Sequence, residues 1–200
     1  MPTINIQMSA DTYLRDDFAT TNFSTAVEIS VGEYDGAVSI SRAWIKPDFT
    51  GIPAGQGFVS AVLNLTPITD VPSNSRTMSA HRCLRDVVAN QATWTIWKTS
   101  NNWGTAGCSN STTDYDGALA LGTMTQPASP TLNTALQMTF TAAGVSELQK
   151  MYDGTYTNNG IILFVDTQTN DQIQYASLDN ATSAYRPFIT IVYGSGGFFF

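Results

Sequence analysis

A chain of 200 residues suits one domain and is long enough to hide roughly 70% of its unfolded surface. Charged residues make up 12% of it, about half the usual ~25%, with Thr, Ser and Asn filling the polar positions instead. A net charge of −7 with nine scattered basic residues argues against nucleic-acid binding, and the absence of an apolar run near ~18 residues argues against membrane insertion.

Taken in order, the chain reads as short strands separated by turns. Ile4, Ile6 and Met8 alternate with polar residues, the period of a half-buried strand, and residues 10–17 continue extended. Residues 20–23 (TTNF) predict a turn, residues 27–31 a strand that Gly32 ends, and Asp35-Gly36 a hairpin into residues 37–45. Residues 47–57, with two prolines and three glycines, predict a loop. Residues 58–65 place Val59, Ala61, Leu63 and Leu65 on one strand face, and a turn at 72–75 leads to a strand at 77–84.

Residues 92–116 form an irregular segment that carries three of the four tryptophans. Strands at 118–124 and 136–140 follow, with a loop at 126–130 between them. Thr141 is a good N-cap for a helix over 142–152, with Val145, Leu148 and Tyr152 on one face and Asp153-Gly154 as its stop. Three strands close the pattern, at 160–165, 173–178 and 188–193. The first is apolar throughout and predicts burial on both faces. The sum is an all-β fold, an antiparallel β-sandwich, jelly-roll-like, with one short helix near 142–152. Residues 1–193 are expected as one domain and 194–200 as a glycine-rich tail ending in an apolar anchor.

The tryptophan segment holds the candidate site. Trp94 is expected in the core. Trp97 and Trp103 lie beside Asn101, Asn102 and Thr105, so two readings stand: an exposed platform on which sugar rings stack, with Tyr115 beside it, or filling of the sandwich end. Asp114 and Asp116 flank Tyr115 and are weak candidates for calcium, which wants six to eight oxygens. A solvated turn is the plainer reading of this pair, as it is for Asp11, Asp16 and Asp17. His81 has no nucleophile marked beside it and reads as a structural or surface histidine. Cys83 and Cys108 are too few for a disulfide framework; they could pair with each other, and two buried free thiols are the preferred reading. No acid/base pair or metal-ligand spacing is visible, so catalysis and a cofactor are not expected.

Phe198, Phe199 and Phe200 follow a Gly-Ser-Gly-Gly hinge. Three adjacent phenylalanines on a flexible arm combine reach with buried area, the needs of a docking peptide. The start, MPTINIQMSADTYL, lacks a charged region followed by an apolar one, so ordinary secretory export is not expected.

Four stretches, in order, resemble the DNRLRE family of β-sandwich modules found in secreted, cell-surface and phage proteins. They are ADTYLRDDFATTNFSTAVEISVG, SRAWIKPDFTGIPAGQGFVSAVLNL, ATWTIWKTSNNWGTAGCSNSTTDYD and YASLDNATSAYRPFITIVY, spanning residues 10–193. The chain departs from the pattern where Ser24 replaces the glycine usual after the aromatic, and where Ala43-Trp44 follow Arg42. The resemblance implies a non-catalytic module. With the tail, it leads to the expectation of a virion protein made in the host cytoplasm, a phage capsid-decoration or tail/fibre component. Its partners would be other virion subunits or its own copies, and host surface polysaccharide. A standalone extracellular carbohydrate-binding module is the alternative.

Overall fold

The computed structural model describes residues 1–34, 39–70, 74–165 and 172–195. Within them the chain is the all-β sandwich with one α-helix that the periodicities imply. Its strands are β1 (Thr3–Arg15), β2 (Glu28–Tyr34), β3 (Ser39–Pro47), β4 (Gln56–Leu65), β5 (Pro67–Asp70), β6 (Arg76–Arg82), β7 (Ile96–Lys98), β8 (Asn101–Asn102), β9 (Gly122–Gln126), β10 (Leu136–Thr139), β11 (Ile161–Val165), β12 (Ile173–Ala176) and β13 (Phe188–Ser195). The pairings are antiparallel.

β1 joins the two layers. Residues Thr3 to Gln7 pair with β13, and from Met8 onward the same strand pairs with β3. An irregularity between Met8 and Ala10 lies at the handover, where an extra residue bends a strand and lets it change partners. One layer therefore runs β10-β4-β13-β1 and the other β1-β3-β11-β6-β9. β2 continues from β3 and carries β12 and then β5 as a short side ladder. A bridge between Gly122 and Phe140 brings the far ends of the two layers together.

The main core fills the space between the layers, with Ile6, Tyr13, Ala43, Ile45, Leu63, Met138, Leu163 and Ile191 among its buried members. The helix α1 (Ala142–Tyr152) starts where expected: Thr141 Oγ1 accepts the Gly144 N–H at 2.9 Å. It buries Val145, Leu148 and Met151 against the core. Gly144 is required there, since a Cβ would sit 1.9 Å from the Leu121 carbonyl oxygen.

Several boundaries differ from the sequence reading. Gly32 does not end β2; it pairs with Ser41, and the strand runs on to Tyr34. The strand placed at 118–124 is β9, which starts at Gly122 and takes Gln126 from the expected loop, because its partner β6 extends to Arg76. β5 begins two residues after β4 and had no periodicity of its own to show it. β13 takes Gly194 and Ser195 from the expected tail, pairing them with Gly57 and Gln56. The Asp35-Gly36 hairpin, the first half of the turn at 72–75, and Phe198, Phe199 and Phe200 lie outside the described residues.

Candidate functional site

The middle of the β1-β3-β11-β6-β9 layer is buried on both faces, because its strands alternate between two cores, whereas β9 leaves Thr123 and Thr125 exposed. Ala43, Ile45, Ile161 and Leu163 point into the main core. Leu14, Trp44, Cys83 and Ile162 point the other way and meet Val87, Ala92, Trp103 and Cys108 in a second core. The tryptophan segment is thus a cap folded onto the outer face of a sheet.

The cap sorts the three tryptophans. Trp103 takes the buried reading: it is 5% exposed and its Nε1 donates to the Thr93 carbonyl at 2.9 Å, so it fills the second core and offers no platform. Trp94, expected in the core, is half-buried at its margin, with Gly107 under its ring. Trp97 is half-buried on β7, and the Lys98 ammonium lies 4.3 Å from its ring centroid. A sugar stacking on that face would displace a cation already held by the ring.

Asp114 is fully buried and organises the cap. Its Oδ1 accepts from the Gly104 N–H at 2.7 Å and from Arg85 Nε at 3.1 Å, and its Oδ2 from Thr105 at 3.0 Å and Asn110 at 3.1 Å. Burial pushes its pKa up, but these bonds outweigh burial and hold the carboxyl below the usual range. Asp116 turns elsewhere, accepting from Arg82 Nη2 at 2.9 Å and from the Ala118 N–H at 3.2 Å. Arg82 Nε also bonds Glu147 of α1 at 3.2 Å. The two calcium candidates therefore face different donors and share no site. Among the described residues no group of three or more His, Cys, Asp or Glu is placed to hold a metal.

Both thiols are free and buried, as the sequence implies, and both point at the Asp114 carbonyl oxygen, Cys83 Sγ at 3.4 Å and Cys108 Sγ at 3.8 Å. Burial, with Cys83 beside it, pushes the Cys108 thiol well above its ordinary pKa.

His81 and Tyr115 belong to one aromatic cluster. The imidazole stacks on Phe164 at 5.2 Å, and Tyr115 meets both rings edge-on. His81 Nδ1 donates to the Asp116 carbonyl at 2.8 Å, so the ring pins the cap to β6. Arg42 does the same from β3: its Nη1 donates to the carbonyls of Gly107 at 2.9 Å and Cys108 at 3.3 Å, while its guanidinium lies 5.2 Å from the Phe164 centroid. Burial lowers the Arg42 pKa. The sequence reading does not expect Arg42 as a cap residue, since it stands there only as one residue of the strand at 37–45.

Asp11, Asp16 and Asp17 do not cluster. Asp16 accepts the Ile40 N–H at 2.7 Å, and Asp17 pairs with Arg15 at 2.7 Å. Asp11 is 4% exposed at the floor of a cleft of ≈ 330 Å³. The sequence held no sign of this cleft. Ser9 and Ala10 from the β1 irregularity, Ser24, Asn90 from the start of the cap, and Leu178 and Asp179 after β12 enclose it. Its wall is braced by Asn22, whose Nδ2 donates to the carbonyls of Ala89 and Ala92, both at 2.6 Å. Burial raises the Asp11 pKa to about 6, opposed by the Leu178 N–H at 2.7 Å and reinforced by the charge of Asp179.

Fold and site together define an all-β sandwich module with a self-bonded cap on one layer. No family model matches the chain, and no curated protein matches it.

Proposed function

We propose that this chain is a non-catalytic structural and adhesive protein of a virus particle, a phage capsid-decoration or tail/fibre component. It assembles through Phe198, Phe199 and Phe200 and contacts host surface glycans through Trp97 and its surroundings. The observation that carries the non-catalytic part is how the cap uses its polar chemistry. Asp114, Arg42, His81 and both thiols are each bonded to backbone that holds the cap on the sheet. Such bonding makes a rigid surface rather than a reacting centre. The sequence resemblance to DNRLRE modules and the apolar C-terminal residues support the assembly part, with the protein made in a host cytoplasm and carried on the virion.

The second reading is an extracellular polysaccharide-binding module with no assembly role. The cleft lined by Ser9, Asp11, Ser24, Asn90 and Asp179 favours it.

Light scattering on the full chain and on one ending at Ser195, the last residue of β13, separates the two. Tail-mediated assembly gives a full-length oligomer that becomes a monomer on truncation. Two monomers of equal behaviour would remove homotypic assembly and leave the polysaccharide module as the reading to test on a glycan array.

A further inference from the structure

The Asp11 cleft carries a carboxyl that, among the described residues, accepts one hydrogen bond and meets no cation. A carboxylate this buried is ordinarily matched by a cation or a full set of donors. Among the described residues the Leu178 N–H, at 2.7 Å on Oδ2, is the one hydrogen bond to the Asp11 carboxyl, and neither Asp11 nor Asp179 joins an ion pair, so Oδ1 is left to whatever enters the cleft. Asp179, exposed at the rim, adds a second negative charge that acts on the first.

We propose that this cleft binds a hydroxylated primary amine, the amino-sugar unit of a polysaccharide, with its ammonium between Asp11 and Asp179. The ammonium is compact and carries three donors, which suits two carboxylates lining one cleft. Ser9, Ser24 and Asn90 line the remaining wall; the Ser9 and Ser24 hydroxyls donate to the Lys46 carbonyl and to Asn22 Oδ1, which leaves their oxygens as acceptors for sugar hydroxyls. The volume of ≈ 330 Å³ is near the lower end for small-ligand sites and suits one ring. A divalent cation fits less well, because calcium wants six to eight oxygens and only two carboxylates are present. The walls are fixed in advance by Asn22 and by Ser177 Oγ, which accepts the Asp179 N–H at 3.0 Å. The cleft is a different place from Trp97 and does not depend on assembly through the C-terminal phenylalanines.

The test is calorimetric titration of the full chain at pH 7 with a glucosamine tetramer and with the N-acetylglucosamine tetramer, in which the amine is an uncharged amide. Saturable binding of the first, weakened roughly tenfold or more by acetylation, by Asp179→Asn and by Asp11→Asn, is the expected result. Asp179 is exposed, so its variant keeps the fold, and a melting curve checks the Asp11 variant. Asp153→Asn removes the same charge from the exposed turn after α1 and is expected to bind like the parent. Equal affinity for the two tetramers, no saturable binding, or equal losses in the Asp153 and Asp179 variants would overturn the assignment.

Discussion

Trp94 lies directly on Gly107: a Cβ at Gly107 would come within 2.4 Å of the indole Cη2, and the Gly107 N–H donates to the Trp94 carbonyl at 2.6 Å. Gly107 also holds φ at +74°, where only glycine is at ease. Its carbonyl in turn accepts from Arg42, so one residue joins the indole to β3. Gly107→Ala is therefore expected to cost roughly 2–5 kcal/mol, from the left-handed backbone and overpacking together. Urea unfolding measures this, and a loss below about 1 kcal/mol would mean that the cap moves aside freely.

Asp114 is the larger dependency. Asp114→Ala would leave the N–H groups of Gly104, Thr105 and Asn110 and the Arg85 guanidinium without their acceptor. A loss of about 3–5 kcal/mol is expected, as for breaking a buried charged network from one side. Arg85→Ala removes only the half-exposed partner and should cost about 1 kcal/mol. Because the folded-state pKa of Asp114 is lowered, its contribution is present above the unfolded value and lost as pH falls through the folded one. The parent should show this as an acid limb in a stability–pH profile, and Asp114→Ala should lack it.

Local features of this fold are legible in the sequence and long-range ones are not. Thr141 and Asp153-Gly154 bracket α1 because caps act within a turn of the residues they stop. The run at 161–165 announces burial on both faces because nothing polar interrupts it, and the two cores confirm it. Trp103 was ambiguous because its neighbours Asn101 and Asn102 are polar, whereas its burial comes from Thr93 and the sheet beneath. The cleft was hidden altogether. It depends on Asp11 meeting Leu178 across 167 residues, at a strand irregularity that leaves no mark in a period of two.

Burial keeps the two thiols unreactive, since the thiolate is the nucleophile and burial raises the Cys108 thiol. In the folded protein at pH 8, neither Cys83 nor Cys108 should react with a thiol-exchange reagent on a timescale of minutes, and both should react at once in denaturant. The folded-state rate should track cap opening, so Gly107→Ala should raise it at both positions. A fast reaction of either thiol in the parent would contradict the packed second core.

Asp11 reverses the pH dependence of Asp114. Its folded-state pKa is raised to about 6 from 3.8 by burial, with the Leu178 N–H opposing and Asp179 reinforcing. The folded chain therefore holds the Asp11 proton after the unfolded chain has released it. Stability linked to Asp11 is complete below the unfolded value and falls as pH rises through about 6. At about 1.4 kcal/mol for each pH unit between the two values, the loss approaches 3 kcal/mol as an upper figure. Asp11→Asn keeps an oxygen for the Leu178 N–H and removes the charge. It should match the parent near pH 4 and exceed it by about 1–3 kcal/mol at pH 8. Urea unfolding at pH 4, 6 and 8 checks this. Parallel profiles for the two proteins would show that water enters the cleft freely enough to solvate the carboxylate, and that Asp11 is ionised at little cost.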